Sequence, residues 1–371
     1  MQSYDIAIIG GGIAGLSLAY LLGGRRSVVV LEQESALGYH SSGRSAAEFV
    51  LRYNSAEICK LAAIARRFFD APPEGFAEVP LLRSRGGITI ADAEKAGRLQ
   101  AQFEIERHHA PLSSMTPEEA IARIPFLDPA YVRAAYFDPE FWDIEVESLL
   151  QGYAKGARRT GVTIRTNAGV TDIRDDGRHW QIGTRDGRVA APTIVNASGG
   201  WADTTAALAG IRPLGIVPHR RTAILVDLPG FDLAAMPEVN ELDEEFYFKP
   251  DAGRLMVSPA DETPCDPADI RPEEIDIAWA VHHFETATSI KIDRVAKSWA
   301  GMRSFTRDRL PAIGFDPGHP RFFWLAGQGG YGILTSPALG ALAAAMLTGA
   351  EVPDLFREHS LDPGVFSPSR F

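Results

Sequence analysis

Apolar positions near the start of the chain predict a strand, a helix and a second strand. YDIAII at residues 4–9 and SVVVLEQ at residues 27–33 contain uninterrupted apolar runs, which are typical of strands buried on both faces. Between them, residues 16–22 read LSLAYLL, an apolar helical segment. The beginning of the chain therefore predicts a βαβ unit.

Longer segments with helical spacing follow this unit. AEICKLAAIARRFFD at residues 56–70 has the amphipathic spacing of a helix, inside a region, 44–70, where helix signals dominate. TPEEAIARI at 116–124 begins with an N-cap candidate and early acids. Further helices are predicted at 90–105 and 144–159.

From residue 162 the pattern changes to short strands separated by Asp-Gly turns. Predicted strands cover 162–166, 170–174, 180–184 and 193–196. Strand-like runs recur within 215–305. Residues 322–326 predict a last strand, which a glycine-rich turn and an alanine-rich helix at 336–348 follow.

A glycine-rich turn joins the first strand to the first helix. Gly10-Gly11-Gly12-Ile13-Ala14-Gly15 is followed by Glu32, which ends the second strand 20 residues after Gly12. A G-x-G-x-x-G turn in this context, with an acid at this distance, is typical of a dinucleotide site. Gly10 permits the tight turn, Gly12 lets a pyrophosphate approach the backbone, and Gly15 lets the helix pack close to the sheet. Glu32 is expected to accept a hydrogen bond from a ribose hydroxyl, which disfavours NADP. The motif alone leaves FAD and NAD open.

These segments predict an α/β protein with two domains. A Rossmann-like nucleotide-binding domain is expected to be discontinuous, with segments 1–50, 150–210 and 305–371. The intervening segments, 51–149 and 211–304, are expected to build a second, sheet-based α+β substrate domain. A length of 371 residues fits two connected domains better than one core.

Composition narrows the classes of partner and compartment. Thirty-seven basic and 48 acidic residues give a net charge of −11, which argues against nucleic acid or an anionic membrane as the main partner. Cys59 and Cys265 lack metal-ligand spacing, so neither a metal site nor a disulfide framework is expected. No apolar run approaches the ~20 residues of a membrane span, and no signal peptide is recognised. A cytoplasmic protein without an integral membrane segment is expected.

Three further loops have the composition of cofactor contacts. GYHSSGRSAA at 38–47 can place N–H groups and hydroxyls against phosphate or a flavin edge. VNASGGW at 195–201 ends a strand on small residues, which lets a flat cofactor pass close to the backbone. GQGGYGILTS at 327–336 opens a helix whose N-terminus can face the negative charge of a reduced flavin. Taken singly, each loop also fits an ordinary cap or turn.

Together and in this order, the four motifs resemble those of the D-amino-acid oxidase superfamily of FAD enzymes, which includes sarcosine and glycine oxidases. The chain looks most similar to bacterial FAD-dependent D-arginine and D-amino acid dehydrogenases, over nearly its whole length. The blocks that carry the resemblance are IIGGGIAG, GYHSSGRSAA, FFDAPPEGF, FYFKPDAG, WAGMRSF and GQGGYGI. The resemblance implies FAD across the strand ends, with its isoalloxazine at the domain junction.

The resemblance also implies which residues bind the cofactor. In the dinucleotide fingerprint these are Gly10, Gly12, Ile13, Ala14, Gly15, Glu32 and Gln33, and in the flavin-side loop they are Ser41, Ser42, Gly43, Arg44, Ser45 and Ala46. The adenosine contact is Val170, and the residues after the returning strand are Ala197, Gly199 and Trp201. The C-terminal loop contributes Gly329, Gly330, Tyr331, Gly332 and Ile333.

Four residues match the substrate side of such enzymes. An arginine suits a carboxylate because its donors form a planar fork. Arg220 in HRRTA and Arg303 in GMRSF resemble the family's carboxylate clamp. Tyr247 in FYFKP matches a tyrosine that reaches the same carboxylate, and Tyr53 matches one on the active-site loop. Arg220 neighbours Arg221, and one of the two is expected to be a surface charge.

The implied reaction is oxidation of a D-amino acid or a related carboxylate-bearing amine. A hydride passes from Cα to flavin N5, and the imino acid hydrolyses to a keto acid and ammonia. No general base is identified, and none is required, because an amine that loses its proton on binding supplies the electrons. The partners are therefore a small amino-acid-like substrate and an electron acceptor that the sequence does not identify. Oxidase and dehydrogenase behaviour both stay open.

Two alternatives stay open at this point. A flavin-dependent 2-hydroxy-acid or opine dehydrogenase or oxidase would use the same clamp, and a hydroxyl would need a base such as His40 or His219. A FAD-binding partner subunit without a complete pocket is the second alternative.

The chain departs from the pattern of relatives that prefer basic D-amino acids. These carry an acid shortly after the PLL block, where this chain has Arg85-Gly86-Gly87. Glu48 stands where a histidine is usual. The sequence therefore does not support a preference for D-arginine. Glu48 either replaces the missing negative partner or faces solvent, and from sequence we favour the solvent-facing position.

Overall fold

The computed structural model describes residues 2–53, 55–108 and 110–371. Its strands, in chain order, are β1 (Gln2–Ser3), β2 (Ile6–Ile9), β3 (Val28–Leu31), β4 (Glu48–Val50), β5 (Leu82–Ser84), β6 (Gly87–Ala91), β7 (Ser113–Met115), β8 (Ala134–Asp138), β9 (Phe141–Ile144), β10 (Thr163–Arg165), β11 (Val170–Asp175), β12 (Trp180–Thr184), β13 (Gly187–Ala191), β14 (Thr193–Asn196), β15 (Val217–Val226), β16 (Glu238–Glu241), β17 (Tyr247–Asp251), β18 (Arg254–Ser258), β19 (Thr263–Pro264), β20 (Val295–Phe305), β21 (Ala312–Phe315), β22 (Phe322–Ala326) and β23 (Gln328–Gly329).

The helices connect and cover these strands. They are α1 (Ile13–Leu22), α2 (Ala56–Asp70), α3 (Ala96–Glu106), α4 (Pro117–Arg123), α5 (Val146–Arg159), α6 (Ala202–Leu208), α7 (Glu274–Ala287), α8 (Gly332–Thr348) and α9 (Asp354–Glu358), with short 3-10 turns at Ser42–Arg44, Gly199–Trp201, Pro363–Phe366 and Pro368–Arg370. Across the described ranges, every helix is too short or too polar to cross a membrane.

A six-stranded sheet with the order β10-β3-β2-β14-β22-β21 carries the glycine-rich turn. Its strands are parallel except for β21, which runs antiparallel to β22. All residues of β2 and β3 are buried, because α1, α5 and α8 cover one face and the four-stranded sheet β1-β13-β12-β11 covers the other. The carboxyl ends of β2 and β14 meet at one edge, where ligands of such sheets bind.

A ten-stranded sheet forms the second part of the molecule, with the order β23-β20-β15-β18-β17-β16-β6-β8-β7 and β19 beside β15. One face is apolar and packs on α4 and α7 through a core that includes Ile224, Phe248, Val257 and Phe284. Because side chains alternate along a strand, the neighbouring residues of β15, β17 and β20 point to the opposite face. That face turns toward the loop 38–47, where Gly301 lies against Arg44.

A small sheet, β4-β9-β5, differs from the sequence prediction. The helix predicted at 56–70 is present as α2. Helix signals were expected to dominate all of 44–70, but Glu48–Val50 instead form β4 and pair with β9. Phe49 is fully buried in the core beside the six-stranded sheet, which explains why this segment extends. The Ser55 hydroxyl accepts a hydrogen bond from the Ile58 N–H and so caps α2.

Candidate active site

The turn between β2 and α1 has the backbone geometry that its glycines predict. Gly10 has a φ of +110°, and a Cβ there would lie 2.3 Å from the carbonyl oxygen of Ala197. At Gly15 a Cβ would lie 2.0 Å from the carbonyl oxygen of Gly10, so α1 packs directly on the turn. At Gly12 a Cβ would come within 4 Å of the Ser42 hydroxyl alone, at 3.3 Å. The backbone at Gly12 therefore borders open space, as a close approach by phosphate requires.

Glu32 at the end of β3 is tied to the turn. Its Oε2 accepts a hydrogen bond from the Gly11 N–H at 2.7 Å, and its Oε1 accepts one from the Glu34 N–H at 2.9 Å. Burial raises the pKa of this carboxyl, while the two backbone bonds oppose the rise. Each oxygen keeps a further lone pair, so the side chain can still accept a hydrogen bond from a ribose hydroxyl.

A cavity extends from Glu32 past the turn and between the two sheets. Most of the residues expected to bind cofactor line it, namely Gly10, Gly12, Ile13, Ala14, Glu32, Gln33, Ser41, Ser42, Arg44, Ser45, Ala46, Val170, Ala197, Gly199, Trp201, Gly329, Gly330, Gly332 and Ile333.

Three of the expected cofactor residues lie just outside the cavity wall. Gly15 packs α1 on the turn, and Gly43 donates its N–H to the carbonyl of Gly38 at 2.7 Å, which closes the loop 38–43. Tyr331 precedes α8, and its ring lies 5.0 Å from that of Tyr53. These three residues support the backbone segments that line the cavity without lining it themselves.

Sequence reasoning did not assign cofactor contacts to several residues that line the cavity, among them His40, Thr204, Met302, Ser304 and Gln328. His40 and Gln328 lie inside blocks that the sequence singled out, so their position beside the chosen residues was a usable signal. Thr204 belongs to α6, and nothing in its local sequence indicates a ligand.

Three buried polar atoms on the cavity wall indicate whether the cavity suits FAD. In the part of the chain that the structure describes, His40 Nδ1, Ser304 Oγ and Gln328 Nε2 have no hydrogen-bond partner. Unsatisfied buried polar atoms are costly, so a ligand that carries polar groups along its length suits this wall. Together with the backbone at Gly12 and the carboxylate of Glu32, these atoms fit a flavin dinucleotide.

Arg220 and Arg221 of β15 lie on opposite faces of the ten-stranded sheet. Arg221 lines the cavity. Arg220 faces α7 instead, where it contacts Asp276 at 2.9 Å and Glu273 at 2.6 Å. The expectation that Arg220 lies at the substrate side is therefore wrong, and its neighbour Arg221 is the residue that lines the cavity. The physical reason is the two-residue period of a strand, which sends adjacent side chains to different faces.

Arg303 of β20 reaches the cavity beside the C-terminal glycine loop. β23 pairs with β20, and Ser304 lies opposite Gly329. A Cβ at Gly330 would lie 3.3 Å from the guanidinium carbon of Arg303, so the side chain packs on the backbone of this loop. Within residues 2–53, 55–108 and 110–371, no carboxylate forms an ion pair with Arg303.

The two arginines of the cavity leave positive charge unbalanced. Arg221 contacts Glu262 at 3.2 Å, but Glu262 also binds Arg309 at 2.9 Å. Arg221 Nε is buried without a partner among the described residues. Burial and the charge of Arg303 lower the pKa of Arg221. Among the described residues only Arg221 of the two has a carboxylate partner, and it shares that partner with Arg309. The two guanidiniums therefore make a site for an anion.

Tyr247 and Tyr53 flank Arg303 without lining the cavity itself. Both phenols have raised pKa values, first because of burial and then because of the charge of Glu48, while the charge of Arg303 opposes the rise. Each hydroxyl therefore stays protonated at neutral pH and can donate a hydrogen bond.

Glu48 does not face solvent, contrary to the reading favoured from sequence. Its Oε1 is buried without a hydrogen-bond partner among the described residues and lies 3.9 Å from Lys249 Nζ. The pairing of β4 with β9 turns the side chain inward, beside Asp143 of β9.

Comparisons with known proteins agree with this geometry. The model of the DAO family, described as FAD dependent oxidoreductase, matches residues 5–346. Glycine oxidase from Geobacillus kaustophilus (strain HTA426) is 28% identical over 357 residues, which cover 92% of each chain. The crystal structure of glycine oxidase from Geobacillus kaustophilus superposes with a TM-score of 0.85 at 26% identity, over all of both chains.

A longer relative is similar over part of its length. Mitochondrial dimethylglycine dehydrogenase from Rattus norvegicus is 26% identical over 97% of this chain, which spans only 44% of that protein. The family, the α/β fold class and the FAD cofactor predicted from sequence are confirmed. With its glycine turn, its fitted cavity and a family match over most of its length, the chain belongs to the DAO family of FAD-dependent oxidoreductases.

Proposed function

We propose that this chain oxidises a D-amino acid, or a closely related amine that carries a carboxylate. The product is an imino acid, which water hydrolyses to a keto acid and ammonia. The observation that carries the proposal is that Arg221 and Arg303 both line the cavity, while among the described residues Glu262 pairs with Arg221 and no carboxylate pairs with Arg303.

The two guanidiniums suit the carboxylate of such a substrate. Arg303 offers a planar fork of donors that no protein carboxylate occupies among the described residues. Burial, and after it the charge of Arg303, lower the pKa of Arg221, and a bound carboxylate would relieve the repulsion between the two guanidiniums. The names of the relatives support this class, since glycine and dimethylglycine are both amines that carry a carboxylate.

Two tyrosines complete the substrate anchor, by which we mean Arg221, Arg303, Tyr247 and Tyr53. The protonated phenols of Tyr247 and Tyr53 can donate hydrogen bonds toward the group that Arg303 holds. A carboxylate held at several points has a fixed orientation, and this aligns the substrate's Cα for reaction. The apolar packing of Tyr53 on Tyr331 and of Tyr247 on Met256 keeps water away from this point.

Bound FAD supplies the acceptor for the hydride that leaves Cα. An amine needs no protein base, because its unprotonated nitrogen pushes the electrons that the leaving hydride requires. A hydroxy acid would need one. Of the described residues that line the cavity, His40 is the sole histidine, and it contacts Glu34 at 3.0 Å beside Glu32, at the nucleotide end. This favours the amine over the hydroxy acid.

The test is anaerobic reduction of the purified flavoprotein, followed as bleaching of its visible absorbance. We expect D-alanine to bleach the flavin and L-alanine and D-lactate to leave it yellow. Arg303→Met should raise the half-saturating concentration of D-alanine by about 100-fold, whereas the exposed Arg307→Met should leave it unchanged.

Each arm can overturn the proposal. Bleaching by the L-enantiomer alone would reverse the stereochemical assignment, and bleaching by D-lactate alone would establish a hydroxy-acid enzyme. A normal response of Arg303→Met would remove this arginine from the substrate site.

A further inference from the structure

Three buried polar atoms lie beside the substrate anchor and have no role in it. Among the described residues, Glu48 Oε1, Glu238 Oε1 and Asn240 Nδ2 are buried without a hydrogen-bond partner. Leaving one such atom unpaired costs about 1–3 kcal/mol. Three in one neighbourhood indicate a site that a ligand completes.

The strand register brings these residues to one face. Asn240 of β16 lies opposite Tyr247 of β17, and Glu238, two residues away, points to the same face by the strand period. Lys249, two residues after Tyr247, shares that face as well. Glu48 arrives from the small sheet, with its Oε1 3.9 Å from Lys249 Nζ. The side chains of Glu238, Asn240 and Lys249 therefore share one sheet face with Tyr247, and Glu48 approaches Lys249 on that face.

The charges of this cluster balance without a ligand. Lys249 and Arg85 both contact Asp143, and Lys249 also faces Glu48. Glu238 is 1% exposed, and burial together with the charge of Glu48 raises its pKa well above the ordinary range. At neutral pH the cluster thus holds two carboxylates, two cations and one neutral carboxylic acid.

We propose that Glu48, Glu238 and Asn240 form a side-chain subsite that selects substrates ending in a carboxamide. The inference rests on the proposed function, since it assigns the part of the amino acid beyond Cα. An amide group offers N–H donors for Glu48 Oε1 and a carbonyl acceptor for Asn240 Nδ2, so it satisfies donors and acceptors together.

Other side chains fit this subsite less well. A cationic end would place a third positive charge beside Lys249 and Arg85, and an anionic end would meet the charge of Glu48. An apolar end would leave all three buried atoms unpaired. A site built to hydrogen-bond its substrate rejects an analogue without those groups strongly.

The experiment compares kcat/KM for five D-amino acids with the intact holoenzyme. We expect D-glutamine to exceed D-methionine, which has similar length, by at least tenfold, and to exceed D-lysine and D-glutamate as well. D-alanine serves as the reference, because it has no group that reaches the subsite.

Variants distinguish loss of the subsite from a general loss of activity. Asn240→Leu should reduce the ratio of D-glutamine to D-methionine to near one. Glu238→Gln should retain that ratio, because glutamine has the shape of the neutral acid. The exposed Glu94→Met is the matched control and should leave the ratio unchanged. If Asn240→Leu fails to accumulate with flavin, Glu48→Met tests the same loss at a partly exposed position.

The outcomes distinguish the two proposals. Oxidation of D-alanine with no preference for D-glutamine, or with D-lysine preferred, would overturn the carboxamide subsite and leave the proposed function standing. An unchanged ratio in Asn240→Leu would also overturn the subsite. Failure of every D-amino acid to reduce the flavin would instead overturn the proposed function.

Discussion

Arg220 and Arg221 are consecutive in sequence, but their guanidiniums lie on opposite faces of the same sheet. Arg220 is held by Asp276 and Glu273 of the helix side, whereas Arg221 reaches the cavity. The same sequence block therefore supplies a structural ion pair and a cation that lines the cavity. Substitution of the two residues should separate stability from substrate recognition.

Arg221→Met should raise KM for the carboxylate substrate by roughly 10- to 100-fold, because one of two anchoring cations is lost. Arg220→Met should leave KM within about twofold. It should lower the free energy of unfolding by about 3 kcal/mol, because Asp276 would stay buried and unpaired. Steady-state kinetics measure KM, and urea unfolding measures the free energy of unfolding. The reverse pattern would return the clamp to Arg220.

Gly12→Ala should remove flavin without unfolding the chain. The new Cβ would meet the Ser42 hydroxyl at 3.3 Å, a tight contact that a small shift of this side chain relieves, but it would occupy space at the cavity that the cofactor needs. Gly10→Ala should instead impair folding, since its Cβ would lie 2.3 Å from a backbone oxygen at a φ of +110°. The ratio of visible to protein absorbance and the thermal midpoint distinguish the two. Full flavin content in Gly12→Ala would contradict the assignment of this turn.

Glu238→Gln should stabilise the protein increasingly as pH rises. The folded state keeps this carboxyl protonated, because its pKa is raised, while the unfolded chain releases the proton above about pH 4.5. Wild-type stability therefore falls as pH rises from there to the folded pKa, by at most about 1.4 kcal/mol per pH unit. Glutamine has no proton to lose.

Urea unfolding of both proteins between pH 4 and 8 tests this difference, with Glu94→Gln as the exposed control. A stability difference that does not change with pH would show that Glu238 is ionised in the folded protein.

Asp143→Asn should destabilise the protein by about 3 kcal/mol near neutral pH, because the buried cations Lys249 and Arg85 would lose their shared, partly buried carboxylate. The two cations lower the pKa of Asp143 below its ordinary value, so its contribution is present above that value and is lost as pH falls through the folded pKa. Differential unfolding by urea at pH 7 measures the effect. The control is Asp70→Asn, an exposed partner of Arg66, for which less than about 1 kcal/mol is expected. Equal effects at the two positions would contradict a buried network.

The cofactor site was predictable because its signals are local. The turn from Gly10 to Gly15 and the acid at Glu32 lie within one βαβ unit, where spacing alone determines geometry. The family resemblance then extended the prediction to distant blocks, such as the one that contains Gly330.

The substrate side was less predictable because it depends on strand parity and on distant pairing. Sequence cannot tell which of Arg220 and Arg221 faces the cavity until the register of β15 is known. The position of Glu48 depends on the pairing of β4 with β9, a strand far along the chain, and helical periodicity masked that short strand.

The pairing of β20 with β23 has a consequence for engineering. Ser304 lies opposite Gly329, so the strand that carries Arg303 and the glycine loop before α8 form one continuous ribbon. A chimaera that imports the specificity of another flavoenzyme must therefore exchange both segments together. Grafting either segment alone would change the position of the bound substrate relative to the flavin.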